Sequence, residues 1–332
     1  MNFSILIPAY NSANTILVAL NSIKSQTHSE FEVLIIDDGS TDDTSAICKG
    51  VCLKDKRFKY FYQTNKGASA ARNYGIMLAK CEYILFLDSD DFYSSDYLSE
   101  FKLMIESQSE YENFWCDYSS KLAQQNDKTC FNNIKLIKED KSNIMNTPCI
   151  QYLNPLWNKA FKRDVIMSNN ITMPEDLSLG EDLIFNLRYL DCTNGKIVIN
   201  PSPLYHYSTA NEHSLDRKYR ENLLDIFNTI DEALLQYLHK WNVDEQQLKL
   251  FYNSVFFHYE KVLYNTYHPE SKLTKHEKRT YNSTILKSEK FQSALRLTDC
   301  YINPLYKIAY KLRSWTMIQC LDKLINIKNK FN

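Results

Sequence analysis

The amino-acid sequence predicts an α/β fold with a mainly parallel central sheet flanked by helices, followed by a C-terminal helical region. Over the first hundred residues, short apolar runs alternate with amphipathic stretches, which is the pattern of strand-helix-strand units. In the last third of the chain, apolar residues such as Leu223, Phe227 and Ile230 recur at the helical period. The expected domains are therefore residues 1–214 and residues 215–332.

Length and composition limit the class of protein. The 332 residues suffice for about two domains. The 39 basic and 40 acidic side chains leave a net charge of -1, which argues against intrinsic disorder and against nucleic acid as a partner. The short apolar run at Phe3–Ile7 follows no Lys or Arg and ends at Pro8, so neither a signal peptide nor a membrane span is expected, and the predicted location is cytoplasmic.

The nine cysteines are scattered along the chain without a C-x-x-C pair. This spacing predicts reduced thiols rather than a disulfide framework or a zinc ribbon. Glycine is more informative than cysteine, because only six occur where average usage gives about 23. Four of them lie in polar segments with functional character: Gly39, Gly67, Gly75 and Gly180.

Four apolar runs predict the first four strands: Phe3–Ile7, Val33–Ile36, Phe58–Tyr62 and Tyr83–Leu87. Amphipathic stretches between them predict helices. Thr41 is expected to cap the second helix, with Asp42 and Asp43 in its first turn. Gly67 precedes an alanine-rich third helix that is expected to run to about Lys80.

The loops that follow these strands are strongly polar. In open parallel sheets, ligands bind beyond the carboxyl ends of the strands, where such loops gather. The four loops are residues 9–11, 37–40, 63–67 and 88–91. One edge of the sheet is therefore the predicted ligand site.

Three carboxylates, Asp88, Asp90 and Asp91, fall within four residues after the fourth strand. They repel one another unless a cation neutralises them, and oxygen ligands of this kind suit Mg²⁺ or Mn²⁺. The alternative is a solvated loop in which Asp90 or Asp91 caps a helix. The coincidence with the ligand edge of the sheet favours the metal site.

Phosphate-binding fingerprints of the P-loop and dinucleotide types are absent from the sequence. A nucleotide bound here would therefore need a metal ion rather than a glycine cradle. Lys66, Gly67 and Arg72 offer a helix N-terminus and cations for phosphate or base contacts, although a charged helix end on a loop is common without any ligand.

Several spaced motifs agree in order over residues 1 to about 215. They are Ser-Ile-Leu-Ile-Pro-Ala-Tyr-Asn (4–11), Asp-Asp-Gly-Ser-Thr-Asp (37–42), Lys-Gly with Ala-Ala-Arg-Asn and Gly (66–75), Asp-Ser-Asp-Asp (88–91) and Gly-Glu-Asp (180–182). Together they resemble the inverting glycosyltransferases of family 2, of the bacterial polysaccharide or glycan type, which have the Rossmann-like GT-A fold. The resemblance implies a hexosyl- or N-acetylhexosaminyl-transferase.

The resemblance implies a site for a nucleotide-diphosphate sugar, commonly UDP-linked. Ala9 and Asp38 would contact the base with help from Arg72, Asp88 would lie near the ribose and sugar, and Asp90 would bind the Mn²⁺ or Mg²⁺ that bridges the diphosphate. The full donor side implied by the motifs is Pro8, Ala9, Tyr10, Asn11, Asp38, Lys66, Gly67, Arg72, Asp88 and Ser89.

Asp182 matches the position of the family's catalytic base, which takes the proton from an acceptor hydroxyl, and Glu181 beside it is the second catalytic candidate. Without the resemblance, two acids before an apolar run indicate only a helix N-terminus. His206 is a candidate further metal ligand, and His213 competes for that role. Each histidine also fits an ordinary packing or surface position.

Trp157, Asn158 and Lys159 resemble a segment that lines the acceptor side in these enzymes, although a tryptophan beside a proline also fits a core. The expected acceptor is a glycan, a lipid-linked oligosaccharide or a glycoprotein. Residues 301–332 carry six Lys or Arg against one Asp, interleaved with apolar and aromatic side chains. This segment fits peripheral contact with the inner face of the cell membrane, a homo-oligomer contact or packing on its own domain.

Three other functions compete with the leading one. A haloacid-dehalogenase-type phosphatase also has D-x-D after an apolar strand, but Phe92 and Tyr93 follow the acids here and the motif comes at the fourth strand. A sugar-nucleotide pyrophosphorylase needs a glycine-rich first loop, which residues 8–11 lack. A non-catalytic subunit of the same fold is disfavoured by Asp90 and Asp182.

Overall fold

The computed structural model describes residues 1–119, 136–146, 149–208 and 219–331, with side chains up to Lys323. The chain divides into two compact units, Met1–Ser214 and Leu215–Asn332. The described part of the first unit contains a nine-stranded sheet with helices, and that of the second is helical. The predicted α/β fold with a C-terminal helical region is therefore confirmed.

The strands of the first unit form one sheet in the order β3-β2-β1-β4-β8-β6-β9-β5, with β7 paired to β9. The strands are β1 (Phe3–Ala9), β2 (Phe31–Asp38), β3 (Phe58–Gln63), β4 (Tyr83–Phe86), β5 (Phe92–Tyr93), β6 (Asn113–Ser119), β7 (Ile137–Asp140), β8 (Lys159–Lys162) and β9 (Lys196–His206). Strands β1 to β4 are mutually parallel, as predicted. Beyond β4 the sheet is mixed, because β8 runs antiparallel to both β4 and β6.

The described residues of the first unit form seven α-helices: α1 (Ile16–Lys24), α2 (Thr44–Lys54), α3 (Ala68–Leu78), α4 (Tyr97–Ser107), α5 (Cys149–Leu153), α6 (Arg163–Ser168) and α7 (Glu181–Asp191). Six belong to the second: α8 (Leu223–Lys240), α9 (Glu245–Asn265), α10 (Lys275–Lys287), α11 (Glu289–Leu297), α12 (Pro304–Lys311) and α13 (Trp315–Phe331). None of the described helices has both the length and the apolar content that crossing a bilayer requires.

The uniformly apolar central strands are buried on both faces of the sheet. Ile5 and Val33 belong to a core cluster on one face, whereas Leu6, Leu34 and Ile36 belong to the cluster on the other. A parallel strand covered by helices on both sides needs apolar side chains at every position. The in-register pairing of these strands brings their carboxyl ends, and the polar loops that follow, to one edge of the sheet.

The start of α2 differs from the prediction. Thr41 does not cap this helix, because α2 begins at Thr44 with Asp43 at the N-cap position, and the Thr41 hydroxyl donates to Asn11 Oδ1 at 3.3 Å. Asp42 organises the turn instead: its Oδ1 accepts from the N–H of Thr44 at 3.0 Å and its Oδ2 accepts from the N–H of Ala13 at 3.1 Å. The tertiary contact between the first two loops therefore overrides the local capping preference of Thr41.

The cysteines that the structure describes are all free thiols. Burial raises the pKa of the Cys48 thiol to about 12, so this side chain stays protonated as a small apolar core group.

Candidate active site

The first two loops of the sheet edge are hydrogen-bonded to each other. Asn11, which has a positive φ of 48°, donates its N–H to Ser40 Oγ at 2.9 Å and accepts from Thr41. Pro8 and Ala9 are part of strand β1. Tyr10 follows with 52% of its surface exposed, so its ring is available to a ligand.

Asp38 holds the loop that leads into α3. Its Oδ1 accepts from Gln63 Nε2 at 2.7 Å and from the N–H of Lys66 at 2.9 Å, and its Oδ2 accepts from the N–H of Gly67 at 2.8 Å. The predicted residues Asp38, Lys66 and Gly67 are thus brought together. The carboxylate fixes the backbone at the N-terminus of α3, and its remaining lone pairs are what a base donor would use.

Arg72, on α3, lies between two groups of carboxylates. Its Nη2 is 2.8 Å from Asp88 Oδ1, and its Nη1 is 3.4 Å from Asp182 Oδ1 and 3.7 Å from Glu181 Oε1. Burial disfavours its charge, but the three carboxylates outweigh burial and raise the pKa of Arg72 above its ordinary value. One buried guanidinium therefore joins the predicted donor side to the predicted catalytic base.

Asp182 lies in the first turn of α7, after Gly180 in the left-handed conformation. Burial raises the pKa of Asp182 to about 7, and the charges of Glu181 and Asp88 act in the same direction, whereas Arg72 and Lys159 oppose them. A carboxylate whose pKa lies near neutrality is well matched to general-base catalysis.

Asp91 has a structural position in the Asp88–Asp91 loop. It is 1% exposed, and it accepts from Tyr205 Oη at 2.6 Å and from the N–H of Ser208 at 2.7 Å. Burial raises the pKa of Asp91 to about 8, and the charge of Asp88 adds to the effect. Asp88 and Asp90 are only partly buried, so they are the carboxylates of this loop that remain accessible to a ligand.

Ser89 connects the same loop to the first one, because its Oγ lies 2.7 Å from Ser12 Oγ. The loops after β1, β2 and β4 are thus linked by side-chain hydrogen bonds, as the loop after β2 is linked to that after β3 by Asp38. The sheet edge is a continuous polar surface built from all four loops.

His206 lies at the end of β9, directly opposite Phe92 in the antiparallel pair with β5. Its ring stacks on Phe92 at a centroid distance of 4.7 Å, and its Nε2 is 2.7 Å from Ser94 Oγ. The histidine is therefore close in register to the Asp88–Asp91 loop, but its Nε2 is engaged. The competing candidate, His213, lies outside the described residues.

The described residues fit a metal ion that is shared with a ligand. They contain no group of three or more His, Cys, Asp or Glu side chains arranged to hold a metal ion alone. Partly buried Asp90 and Asp88 provide hard carboxylate oxygens. Mg²⁺ and similar ions are commonly bound by one or two carboxylates together with substrate phosphates and water. Such an ion fits here if a diphosphate completes its ligand set.

Asn158 and Lys159, which were expected to line the acceptor side, are buried. Lys159 is 2% exposed, and its Nζ donates to the backbone carbonyls of Tyr152 and Pro155 and to Asn158 Oδ1. Burial lowers the pKa of Lys159 well below its usual value, although the nearby charge of Asp182 opposes this. Asn158 Nδ2 donates to the carbonyl of Cys116 at 3.2 Å. Both side chains fix the backbone of this segment.

Trp157 belongs to an aromatic stack behind the Asp88–Asp91 loop. Its ring is nearly parallel to that of Tyr205, with centroids 4.1 Å apart, and Tyr207 lies on the same ring at 6.1 Å. The hydroxyl of Tyr205 holds Asp91 and also accepts from the N–H of Asp88 at 3.4 Å. Tyr205 is a site residue that the sequence did not indicate, because the neighbouring His206 was the candidate metal ligand in that segment.

Asn186 was also missed. It lies one helical turn after Asp182 on α7, and its Nδ2 donates to the carbonyls of Leu153, Asn154 and Pro155 at 2.8, 2.9 and 3.2 Å. A buried amide within the apolar Leu183–Leu190 segment was the available signal. Asn186 fastens the helix of the candidate base to the loop before Trp157.

Comparisons with known proteins show which proteins this chain is similar to. Residues 4–138 match the family described as Glycosyl transferase family 2. Over 93 residues, 28% of this chain, the sequence is 54% identical to an uncharacterized glycosyltransferase of Rickettsia conorii, but the match covers only 15% of that relative's length. The putative glycosyltransferase EpsH of Bacillus subtilis is 26% identical over 89% of this chain and 86% of its own.

Solved structures show the same fold. The TarS 1-349 structure of S. aureus in complex with UDP-GlcNAc has a TM-score of 0.69 at 21% identity and covers 94% of this chain and 88% of its own. The mannosyltransferase PcManGT of Pyrobaculum calidifontis, in complex with GDP-Man and Mn²⁺, has a TM-score of 0.56 at 12% identity, over 94% and 87%. Residues 4–138 therefore match the glycosyl transferase family 2 domain, and the described fold is the one that these solved glycosyltransferase structures have.

Proposed function

We propose that this protein transfers a sugar from a nucleotide-diphosphate donor to a hydroxyl of a glycan acceptor, with inversion at the anomeric carbon. The observation that carries the proposal is the position of Arg72, 2.8 Å from Asp88 on the donor side and 3.4 Å from the candidate base Asp182. A donor bound against Asp88 then lies within reach of an acceptor hydroxyl activated by Asp182.

The donor class is argued from the loops of the sheet edge. Asp38 and the ring of Tyr10 offer a hydrogen-bonding group and an apolar face for a base, and the first turn of α3, which begins at Ala68, provides backbone N–H groups for an anion. The TarS structures in complex with UDP-GlcNAc and with UDP support a uridine nucleotide. We therefore propose a UDP-sugar.

Asp90 is the residue that we expect to hold Mn²⁺ or Mg²⁺, with His206 as a secondary candidate that must first leave Ser94 Oγ. The PcManGT complex with GDP-Man and Mn²⁺ supports a metal-assisted donor site. When bound, such an ion neutralises charge on the departing diphosphate.

Asp182 accepts the proton of the acceptor hydroxyl as the oxygen attacks the anomeric carbon from the face opposite the diphosphate. One displacement then inverts the configuration without a covalent intermediate. Arg72 opposes the rise in the pKa of Asp182 that burial causes and orients its carboxylate, and its second nitrogen holds Asp88 in place. Asn186 fixes the helix on which Asp182 lies.

If these roles are right, a variant of the base binds the donor normally but loses the transfer reaction. Asp182→Asn is expected to bind UDP with Mn²⁺ as wild type does and to lose transfer by about 10²- to 10⁴-fold, the usual contribution of a general base. Glu181→Gln, at the neighbouring position, is the matched control and is expected to lose far less. Calorimetry with UDP and a transfer assay over a panel of UDP-sugars check both. Wild-type transfer by the Asp182→Asn variant would remove this residue from the mechanism.

The non-catalytic alternative makes the opposite prediction. A binding subunit releases no UDP from any donor in the panel, with any metal, and the Asp182→Asn substitution changes nothing. No feature of the described residues favours that alternative, and none favours a phosphatase.

A further inference from the structure

The second unit has a stripe of exposed apolar side chains along α12. Tyr301, Leu305, Ile308 and Leu312 are 86%, 53%, 47% and 66% exposed. Leu305 and Ile308 lie within α12, and Leu312 follows as its C-cap residue in helical conformation, so their spacing of three and four residues places these three on one side of the helix; Tyr301 precedes the helix. Single exposed apolar residues are normal on protein surfaces, whereas a run of three along one side of a helix indicates an interaction surface.

The orientation of this stripe is fixed by the buried face of α12 next to it. Ala309 and Tyr310 are buried there, and Tyr310 donates its hydroxyl to Glu260 Oε1 at 2.6 Å while its ring packs against Phe256 at 5.7 Å. Asn303 caps the helix, since its side chain accepts from the N–H of Leu305 at 3.0 Å. A rotation of α12 that buried the stripe would therefore break the buried contacts of Tyr310.

The charge beside the stripe is positive. Lys307, Lys311 and Arg313 are all exposed. The only acidic residue in the segment 301–332 is Asp322, and its carboxylate accepts from the hydroxyl of Tyr306 at 2.5 Å. A second copy of this chain seated on the stripe would bring the same positive charges together, whereas a surface of lipid phosphates would neutralise them.

We propose that the α12 stripe docks this protein on an anionic lipid surface. Leu305, Ile308 and Leu312 enter the boundary between headgroups and acyl chains, and Tyr301 lies at the level of the headgroups, where amphipathic rings are favoured. Lys307 and Lys311 contact lipid phosphates from the side of the helix. This proposal goes beyond the transfer reaction and does not depend on it.

Sedimentation with vesicles of phosphatidylcholine, with and without phosphatidylglycerol, tests the proposal on the full chain. The wild type is expected to sediment with anionic vesicles and to be released by salt. The double substitution Leu305→Ser with Ile308→Ser is expected to weaken binding by at least about tenfold, and Lys307→Gln or Lys311→Gln by about fivefold each. Leu53→Ser is the matched control, because Leu53 is 88% exposed on α2, outside the stripe.

Several results would overturn the proposal. They are no vesicle binding by the wild type, equal binding to neutral and anionic vesicles, or unchanged binding by the stripe variant. A dimer in sedimentation velocity that the stripe variant abolishes would assign the stripe to a second copy. Thermal unfolding checks that the variants fold. UDP binding stays unchanged in all of them, so failure of docking is distinguishable from failure of the proposed transfer reaction.

Discussion

The charge of Arg72 sets the protonation of the candidate base, and Arg72→Gln tests this directly. The lost charge lies 3.4 Å from Asp182 Oδ1. Coulomb's law at that distance gives about 1.2 kcal/mol in water and about 5 kcal/mol at an effective dielectric constant of about 20. At 1.36 kcal/mol per pKa unit, these energies correspond to about 1 and about 3.5 units. The Asp182 side chain keeps 23% of its exposure, so water screens the pair and the lower end applies.

We therefore expect Arg72→Gln to raise the pKa of Asp182 by at least about 1 unit. Carbon-13 NMR titration of the aspartate carboxyl groups measures this without any substrate, and the resonance missing from the Asp182→Asn variant identifies the residue. Arg72→Lys keeps the charge and is expected to shift the pKa less. An unchanged or lowered pKa of Asp182 in the glutamine variant would refute the electrostatic coupling.

Three further predictions concern the pH dependence, the metal and the backbone. The transfer rate should rise with pH through about 7, because Asp182 acts as a base only when it is ionised and its raised pKa leaves it protonated in acid. A transfer rate that stays flat down to pH ~5 would contradict this assignment. Asp90→Ala should weaken UDP binding in Mn²⁺ but not in its absence, which calorimetry measures, and equal losses in both would contradict a metal role. Gly39→Ala should destabilise the fold by about 1–3 kcal/mol, since Gly39 has a φ of 81° and an added Cβ would lie 2.8 Å from Asn65 N. Gly50→Ala is the matched control, because it lies within α2 with open space around it and should be neutral or slightly stabilising in thermal unfolding; equal effects would contradict the backbone argument.

The parallel half of the sheet was predictable because its signal is local. Each of the strands β1, β2 and β4 is a short apolar run buried on both faces, and a polar loop follows each one. The mixed half was not predictable in this way. Strand β8 owes its antiparallel position between β4 and β6 to pairings with distant segments, which no window of sequence shows.

In the candidate site, too, the residues that local motifs identify were predictable, whereas the contacts between distant segments were not. The motifs identified Arg72, Asp88 and Asp182, but their approach to one another joins positions 16 and 110 residues apart and emerges only from the fold. Thr41 illustrates the reverse error, because its hydroxyl, a good local cap, bonds to Asn11 instead. Lys159 was expected on the acceptor side as part of the Trp157–Lys159 segment, and its burial among backbone carbonyls depends on the loop that Asn186 holds.

A crystal structure of the Asp182→Asn variant with a UDP-sugar and Mn²⁺ tests whether one donor lies between Asp90 and position 182. We expect a diphosphate beside Asp90, and a carboxamide at position 182 that faces the anomeric carbon across the gap left for an acceptor oxygen. A donor bound away from Asp88 and Asp90, or a sugar separated from position 182 by packed protein, would contradict it.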